Sequence, residues 1–336
     1  MQTAGELSVF NQPLLTIAIP TYNRAKYLDL CMERIAEEID CLSEEQRSLV
    51  RVCVADNGST DNTPIVVSRH QERFGEKFEA VRNSDNMGMD FNFTRCYELA
   101  KTPYVWVFGD DDVLLPGGLK KVLDVLSNNE IDILYVNNYW FKNSYMEKPR
   151  KKELHGTFTD HDSLTFTRRT NVMLTFLSGL IVRGGVGLNY RNELAGSTLV
   201  QLSWVFPLLR DGKKFAVIED WVVAAQGSNS GGYSLVKVFG ENLQRISLAI
   251  LKDKPELVRV IQNGAIINFF PAFILEFRRG ATKFEDKEMV DGLRQAFANN
   301  WRYYVFLVPL LLLPMYFARI FNRLLKESRY LLRLFI

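Results

Sequence analysis

The chain has 336 residues, of which 47% are hydrophobic and 24% charged, a composition that excludes an intrinsically disordered protein. The formal net charge is only +2, which argues against nucleic acid as a partner for the body of the chain. Three histidines and four cysteines without a C-x-x-C pair argue against a zinc site and predict free thiols.

Apolar runs typical of buried strands alternate with helical patterns over the first 140 residues. Strands are predicted over residues 14–20, 51–55, 79–82, 104–108 and 132–136. Helices are predicted over residues 25–39, 63–74, 91–99 and 118–126. This alternation predicts an α/β fold with a mostly parallel central sheet and helices on both faces.

The pattern is less regular after residue 140. Residues 198–209 have a helical pattern, residues 215–225 are typical of a strand, and residues 235–300 predict two or three helices. The segment GSNSGG at residues 227–232 predicts either a mobile loop that closes over a ligand or a simple linker. We therefore expect three parts, over residues 1–230, 231–300 and 301–336.

Polar clusters follow four of the predicted strands at the point where each strand ends. The clusters are Thr21-Tyr22-Asn23-Arg24, the run from Asp56 to Asp61, the run from Asn83 to Gly88, and Gly109-Asp110-Asp111-Asp112. Ligands of open α/β sheets bind beyond the carboxyl ends of the strands. The four clusters therefore predict one ligand site.

The strongest local signal is the acidic run Asp110-Asp111-Asp112. Adjacent carboxylates repel one another and are most easily kept ionised beside a cation. Their hard oxygens suit Mg²⁺ or Mn²⁺, which can bridge the oxygens of a diphosphate. A solvated acidic turn that caps the next helix is the alternative interpretation, and the run alone does not separate the two.

The other clusters also have two interpretations. Asp56 can accept hydrogen bonds from a nucleobase or ribose, while Asn57-Gly58 and the residues after it are equally typical of a turn and a helix cap. Asn86 and Gly88 predict a turn first, although they would also let the backbone approach a ligand closely.

Taken together, the motifs PTYNR (Pro20 to Arg24), DNGSTD, NMG and DDD resemble the inverting family 2 glycosyltransferases of the GT-A fold over residues 13–130. The later chain loosely resembles the abequosyltransferase-like branch, which builds bacterial surface polysaccharides. The resemblance implies that Thr21 and Tyr22 flank the base and ribose of a nucleotide-sugar donor, that Asp56 contacts the base, and that Asp110, Asp111 and Asp112 bind the metal. It also assigns further positions to donor binding, namely Pro20, Asn23, Arg24, Asn57, Asn86 and Gly88.

Two positions depart from the family pattern. Many relatives have an Asp where Gly109 stands, followed by any residue and two Asp, which points to Asp111 and Asp112; Asp110-x-Asp112 fits a plain D-x-D spacing equally well. The family's general base falls at Gln201, and an amide cannot accept a proton at neutral pH. Glu193 is the first candidate to replace it, ahead of other acids in that region, namely Asp160, Asp162 and Asp220.

The C-terminal 35 residues are basic and apolar. Residues 302–336 contain six Lys or Arg and one Glu, and residues 303–318 are an uncharged run too short for the roughly 20 residues of a membrane span. Five basic residues then recur on one helical stripe, namely Arg319, Arg323, Lys326, Arg329 and Arg333. The pattern predicts a helix lying on an anionic membrane surface, with a core or oligomer-forming helix as the alternative.

The resemblance implies a hexosyl- or deoxyhexosyltransferase that inverts the configuration at the anomeric carbon, and the acidic run predicts that it uses Mg²⁺ or Mn²⁺. We expect its acceptor to be a glycan or a lipid-linked glycan. The polar N-terminus has no signal pattern, so we expect a cytoplasmic protein at the inner face of the cell membrane. The alternatives are a sugar nucleotidyltransferase, or a degenerate relative that only binds a membrane or a partner.

Overall fold

The computed structural model of the chain describes residues 12–149, 156–227, 232–280 and 289–327. These residues form two compact units. The first unit is drawn from Met1–Asp160, Leu177–Val186 and Lys214–Gly227, and the second from His161–Phe176, Gly187–Lys213 and Ser228–Ile336. The three-part division of the sequence stays a prediction. Residues 228–231 of the predicted flexible loop lie outside the described residues.

One sheet forms the centre of the first unit. Its nine strands are β1 (Leu15–Thr21), β2 (Val50–Asp56), β3 (Phe78–Arg82), β4 (Tyr104–Val107), β5 (Val113–Leu114), β6 (Ile133–Phe141), β7 (Thr157–His161), β8 (Leu180–Arg183) and β9 (Phe215–Gln226). The order is β3-β2-β1-β4-β8-β6-β9-β5, and β7 pairs with β9. The four pairs β1 with β2, β2 with β3, β1 with β4 and β6 with β9 are parallel. The α/β fold predicted from the sequence is confirmed.

Five helices belong to the first unit, namely α1 (Ala25–Asp40), α2 (Glu44–Ser48), α3 (Thr63–Phe74), α4 (Met89–Leu99) and α5 (Gly118–Asn128). The apolar stripe of α1 is buried, as its helical spacing predicts. On the same buried face, the Glu38 carboxylate accepts the backbone N–H groups of Gly117 at 3.0 Å and Leu119 at 3.3 Å. These groups lie at the start of α5 and have no partner within the helix, which explains why a carboxylate is buried there.

The second unit is helical. Its helices are α6 (Ser163–Thr170), α7 (Arg191–Leu194), α8 (Leu202–Asp211), α9 (Leu243–Ile250), α10 (Pro255–Gly264), α11 (Phe270–Arg278), α12 (Met289–Phe297), α13 (Val308–Leu312) and α14 (Met315–Glu327). The turn Ala265–Phe269 joins α10 and α11 into one continuous helix. Phe270, Ile274 and Leu293 are fully buried in one cluster that also includes Leu310 of α13 and Ala318 of α14. The C-terminal helices therefore take part in the same core.

Among the described residues, one helix is long and apolar enough to cross a membrane, the continuous helix Pro255–Arg278. Of its most apolar window, 72% is buried within the protein. The core helix of a soluble protein meets the same criteria of length and composition. Because its side chains pack in the cluster around Phe270, we interpret it as a core helix.

Helix α14 has one side that faces the protein core and an apolar side that is exposed. Ala318 and Asn322 are buried, and Phe321 and Leu325 pack against the core of the second unit. The apolar side chains Tyr316, Phe317, Ile320 and Leu324 are instead exposed. Ile320, Phe321, Leu324 and Leu325 share one side of the helix by their spacing, and the structure divides them between the core and the surface. Arg329 and Arg333 of the predicted basic stripe lie outside the described residues.

Candidate active site

Polar residues of four neighbouring strands lie in one row at their carboxyl ends. In the parallel register Thr21 of β1 pairs with Asp56 of β2, and Asp56 pairs with Arg82 of β3. Extending the register of β1 with β4 brings Thr21 beside Asp110. Its hydroxyl donates a hydrogen bond to Asp110 Oδ2 at 2.7 Å. The sheet thus brings together the residues that the motifs predicted to share a site.

The acidic run is buried and held by specific partners. Asp110 and Asp112 are 4% and 5% exposed. Arg24 Nη1 donates to Asp110 Oδ1 and to Asp111 Oδ2, at 3.1 Å in each case. Asp112 Oδ1 accepts the backbone N–H of Gln226 at 3.0 Å, and the Ser178 hydroxyl also hydrogen-bonds Asp112. This burial rules out the alternative interpretation of the run as a solvated turn.

The cluster holds more negative charge than its surroundings offset. Burial raises the pKa of Asp110 and of Asp112, and the charge of Asp111 raises both further. Arg24 and the hydrogen bonds act in the opposite direction but do not cancel this effect. Burial and the same three carboxylates also raise the pKa of the Cys31 thiol well above its usual value. Cys31 therefore stays a neutral thiol beneath the cluster.

A divalent cation fits the chemistry of these residues. Carboxylate oxygens are the ligands that Mg²⁺ and Mn²⁺ prefer, and a cation would relieve the repulsion that raises the pKa of Asp110 and Asp112. Among the described residues, no group of three or more His, Cys, Asp or Glu is already arranged as a metal site. Arg24 contacts two of the three carboxylates. A bound metal would therefore have to share or displace this guanidinium.

A side chain at Gly109, where the family resemblance predicts an Asp, would crowd the carboxylates that follow it. A Cβ atom there would lie 3.0 Å from Asp112 Oδ2, 3.1 Å from Asp111 Oδ1 and 3.3 Å from Ser178 Oγ. The Gly109 N–H donates to Ser178 Oγ at 2.8 Å. The chain thus places the acidic side chains at positions 110–112 and packs backbone where the relatives have a carboxylate.

Asp56 has one hydrogen-bond acceptor that is not used. The side chain is 4% exposed, and its Oδ1 accepts the backbone N–H of Ser59 at 2.9 Å. Arg82 Nε lies 3.3 Å from Oδ2, but Oδ2 is buried and has no hydrogen-bond donor. The ion pair with Arg82 offsets part of the cost of burying this oxygen, and its unused hydrogen-bonding capacity could accept a ligand N–H.

The Asn57 side chain stabilises the loop that follows β3 by four hydrogen bonds. Its Nδ2 donates to Asn86 Oδ1 at 2.8 Å and to the Gly88 carbonyl at 3.1 Å. Its Oδ1 accepts from Asn83 Nδ2 at 2.8 Å and from the Met87 N–H at 3.0 Å. Gly88 has φ +89°, a conformation that favours glycine. These contacts explain the motif structurally, and donor contacts of Asn57, Asn86 and Gly88 stay predictions.

Asn23 joins the first loop to the second. Its φ is 52°, and its Oδ1 accepts the Thr60 N–H at 2.7 Å. Its own N–H donates to Ser59 Oγ at 2.8 Å. Pro20 is buried in β1, whereas Tyr22 is 39% exposed. Tyr22 therefore offers an exposed aromatic ring to a ligand. The donor contacts predicted for Tyr22, Pro20 and Asn23 stay predictions.

Both positions considered for the general base lie in the second unit. Gln201 is 4% exposed, and its Nε2 donates to the Thr175 carbonyl at 2.7 Å, while its Oε1 has no hydrogen-bond partner. Glu193 is exposed on α7. Of the other acids in this region, Asp162 accepts the N–H groups that begin α6, and Asp220 pairs with Lys121. The catalytic roles of Glu193 and Gln201 stay predictions.

Two contributors to the acidic site were not assigned from the sequence. Ser178 lies outside all four polar clusters of the sequence, yet its hydroxyl bridges the Gly109 N–H and Asp112. Gln226 contributes its backbone N–H, and a main-chain donor leaves no signal in the side-chain pattern. The segments that carry these residues lie about 70 and 115 residues after the acidic run, and only the sheet order brings them together.

The chain is similar to several known proteins. It is 32% identical to abequosyltransferase RfbV of Salmonella typhimurium over 120 residues, which is 36% of this chain and only about a third (34%) of that relative. Among solved structures, TarS 1-349 of S. aureus in complex with UDP-GlcNAc has a TM-score of 0.57 at 17% identity, covering 94% of this chain and 91% of that one. The mannosyltransferase PcManGT of Pyrobaculum calidifontis, in complex with GDP-Man and Mn²⁺, has a TM-score of 0.50 at 14% identity, covering 96% and 87%.

These structural neighbours show the fold, and they confirm the GT-A architecture with its helical C-terminal region. The match to RfbV agrees with the predicted branch. The model of the family named Glycosyl transferase family 2 matches residues 16–187, just over half of the chain, and contains the row formed by Thr21, Asp56, Arg82 and Asp110. The chain therefore belongs to glycosyl transferase family 2.

Proposed function

We propose that the protein transfers a sugar from a nucleoside-diphosphate sugar to an acceptor hydroxyl with the help of Mg²⁺ or Mn²⁺. The observation that carries the proposal is the buried acidic cluster after β4, which lies in one row with the buried carboxylate of Asp56, whose Oδ2 accepts no hydrogen bond. The proposal is supported by the solved neighbours, one bound to UDP-GlcNAc and one to GDP-Man and Mn²⁺.

Different residues of the row would bind different parts of the donor. Asp56 Oδ2, which is ion-paired with Arg82 but accepts no hydrogen bond, would accept an N–H of the nucleobase. Asp110, Asp111 and Asp112 would hold the cation, which would supply positive charge to offset that of the departing nucleoside diphosphate. Thr21, Ser178 and the Gln226 N–H fix the directions of the carboxylates by their hydrogen bonds. A site held this way needs little reorganisation when the donor binds.

The transfer is an inverting displacement at the anomeric carbon. The acceptor oxygen forms a bond to that carbon while the bond to the diphosphate oxygen breaks, and the electron pair leaves with the nucleoside diphosphate. The acceptor proton passes to a base, which the Gln201 amide cannot be. Glu193→Gln tests the first candidate: if Glu193 is the base, this variant loses transfer but keeps donor binding. If transfer persists at the wild-type rate, another group takes the proton.

The acceptor is proposed to be a lipid-linked glycan, because the C-terminal helices offer a surface suited to a membrane. We define the docking face as six apolar side chains that are 36–74% exposed, namely Leu312, Leu313, Tyr316, Phe317, Ile320 and Leu324. An apolar face on a helix that also carries basic side chains is typical of a helix lying in a membrane interface.

The charge of the segment favours an anionic bilayer as the occupant of the docking face. Arg319 and Arg323 are exposed on the same helix, and residues 302–336 contain six basic residues and one acidic residue. A basic segment of this kind is attracted to anionic lipids, whereas a second copy of the same face would repel it. We propose that the protein lies on the cytoplasmic side of the cell membrane, where a lipid-linked acceptor would be within reach.

Thermal unfolding with UDP, GDP, CDP and dTDP, each with and without Mn²⁺, tests the donor site. One nucleotide should raise the unfolding midpoint only when Mn²⁺ is present, because the metal joins its diphosphate to the acidic cluster. A ligand at about 100 times its Kd adds about 2.7 kcal/mol of stability. Asp112→Asn should abolish this effect, and Glu72→Gln, an exposed acid of α3, should keep it. If no nucleotide stabilises the wild type, the protein is a degenerate relative that binds only its partner or the membrane.

A further inference from the structure

A basic groove crosses the surface of the second unit. It has a volume of about 390 Å³ and lies among α9, α10 and the segment that follows α12. Lys252, Arg259 and Arg302 line it together with five amide side chains, and none of the described lining residues is acidic. Three cations around a groove without a carboxylate point to an anionic ligand.

The arginines of the groove repel each other in the absence of a ligand. Burial lowers the pKa of Arg302, and the charge of Arg259 lowers it further. Two like charges that face the same space are stabilised when an anion binds between them. Guanidinium groups are also well shaped for the paired oxygens of a phosphate.

A buried amide donor in the groove has no partner. Asn263 is 1% exposed, and its Oδ1 accepts from Asn300 Nδ2 at 2.8 Å. Asn300 Oδ1 in turn accepts the Arg302 N–H at 3.1 Å, and this contact fixes which end of the Asn300 amide donates. The group of Asn263 that remains without a partner is therefore Nδ2, a donor. It is independent evidence that the groove is built for an oxygen-rich ligand.

An aromatic surface lies at the same groove. Trp301 is 54% exposed, and the Arg302 guanidinium carbon lies 4.6 Å from the centre of its ring. An exposed indole beside charged and amide groups suits a sugar ring, whose C–H bonds pack on the aromatic face while its hydroxyls find polar partners. The guanidinium at Trp301 places phosphate recognition next to this surface.

We propose that the basic groove binds a phosphorylated saccharide, with the phosphate on Arg259 and Arg302 and the sugar ring at Trp301. This site is formed by residues of the second unit alone and does not depend on the proposed transfer reaction. The phosphate chemistry is shared by soluble sugar phosphates and by lipid headgroups, and the test below separates these two sources.

Separate calorimetric titrations of the full chain with glucose 1-phosphate, inorganic phosphate and glucose test the proposal. Glucose 1-phosphate should bind best, and Arg259→Gln and Arg302→Gln should each weaken it at least tenfold. Trp301→Ala should weaken glucose 1-phosphate but leave inorganic phosphate unchanged. Arg245→Gln removes an exposed charge of α9 that does not line the groove and should change nothing. Thermal midpoints of all variants should match the wild type, which separates lost binding from lost folding.

Several results would overturn the proposal. Equal binding of phosphate and glucose 1-phosphate, unaffected by Trp301→Ala, would reduce the groove to a phosphate site without sugar recognition. A loss with Arg245→Gln as large as with Arg259→Gln would indicate a general charge effect. Binding to phosphatidylglycerol vesicles that requires Arg259, without binding of glucose 1-phosphate, would identify a lipid headgroup site. Failure of the donor-site test with nucleotides would leave this proposal standing, because the two experiments use different ligands and different residues.

Discussion

Replacing two side chains of the docking face should weaken membrane binding without unfolding the protein. In Phe317→Ser/Ile320→Ser, the two side chains removed are 56% and 42% exposed. Full burial of such side chains contributes about 1.5–3 kcal/mol each, so covering the exposed half contributes about 1 kcal/mol each. The sum of about 2 kcal/mol corresponds to a loss of affinity of roughly 30-fold. The core-facing residues Phe321 and Leu325 are unchanged, so the thermal midpoint should be kept.

Flotation with vesicles of phosphatidylcholine containing phosphatidylglycerol would measure this affinity. Arg319→Gln/Arg323→Gln should cause a similar loss, about 1 kcal/mol per charge near an anionic surface, and this part alone should disappear at high salt. Ile65→Ser is the matched control, because Ile65 is 68% exposed on α3 of the first unit. Wild-type binding by the double serine variant, or an equal loss in the control, would refute the proposal that the docking face binds the membrane.

Three further predictions concern the first unit. Asp56→Asn should weaken nucleoside-diphosphate binding tenfold or more in calorimetry, because a hydrogen bond to a charged group contributes about 1.5–3 kcal/mol. Unchanged affinity would show that Asp56 does not bind the nucleobase. Gly109→Ala should abolish the metal-dependent rise in the thermal midpoint, because the added methyl group lies 3.0–3.1 Å from two carboxylate oxygens; a full rise would show that the cluster is not rigid. Burial, with the charges of Arg69 and Arg73, lowers the pKa of His70, so the unfolded chain takes up the proton first and stability falls as the pH drops below about 6.5. His70→Gln should reduce this slope in urea unfolding between pH 7 and 5, and an unchanged slope would assign it to other groups.

The sequence predicted the half of the sheet that is built from consecutive strand–helix units. Buried strands such as β1 and β2 are continuous apolar runs, and their helices have clear periodicity. It did not predict that β8 inserts between β4 and β6 in the antiparallel direction. The apolar run over residues 172–182 contains helical turns and a four-residue strand, and apolar character alone cannot separate these states. Strand β5 has only two residues, too few for any period.

The tail shows a second limit of periodicity. The pattern of α14 separates basic from apolar residues, but it does not indicate how many apolar residues the rest of the protein covers. Phe321 and Leu325 find partners in the core of the second unit, while Ile320 and Leu324 do not. This difference depends on α11 and α13, which contact α14. Only the structure could therefore define the docking face.

The acidic cluster shows that a motif predicts the position of a site more reliably than the ion pairs and pKa values of its side chains. The run of three Asp residues predicts a cation, and the structure supplies one from within the chain, the Arg24 guanidinium bonded to Asp110 and Asp111. Burial raises the pKa of Asp110 and Asp112, and the excess of negative charge left by one positive charge opposite three carboxylates raises it further. A divalent ion would offset this excess, and the displaced guanidinium would then be available to the anionic diphosphate of the donor. Arg24 would thus stabilise the carboxylates before the metal binds and the diphosphate afterwards, which gives the final arginine of the PTYNR motif a physical reason to face the DDD motif.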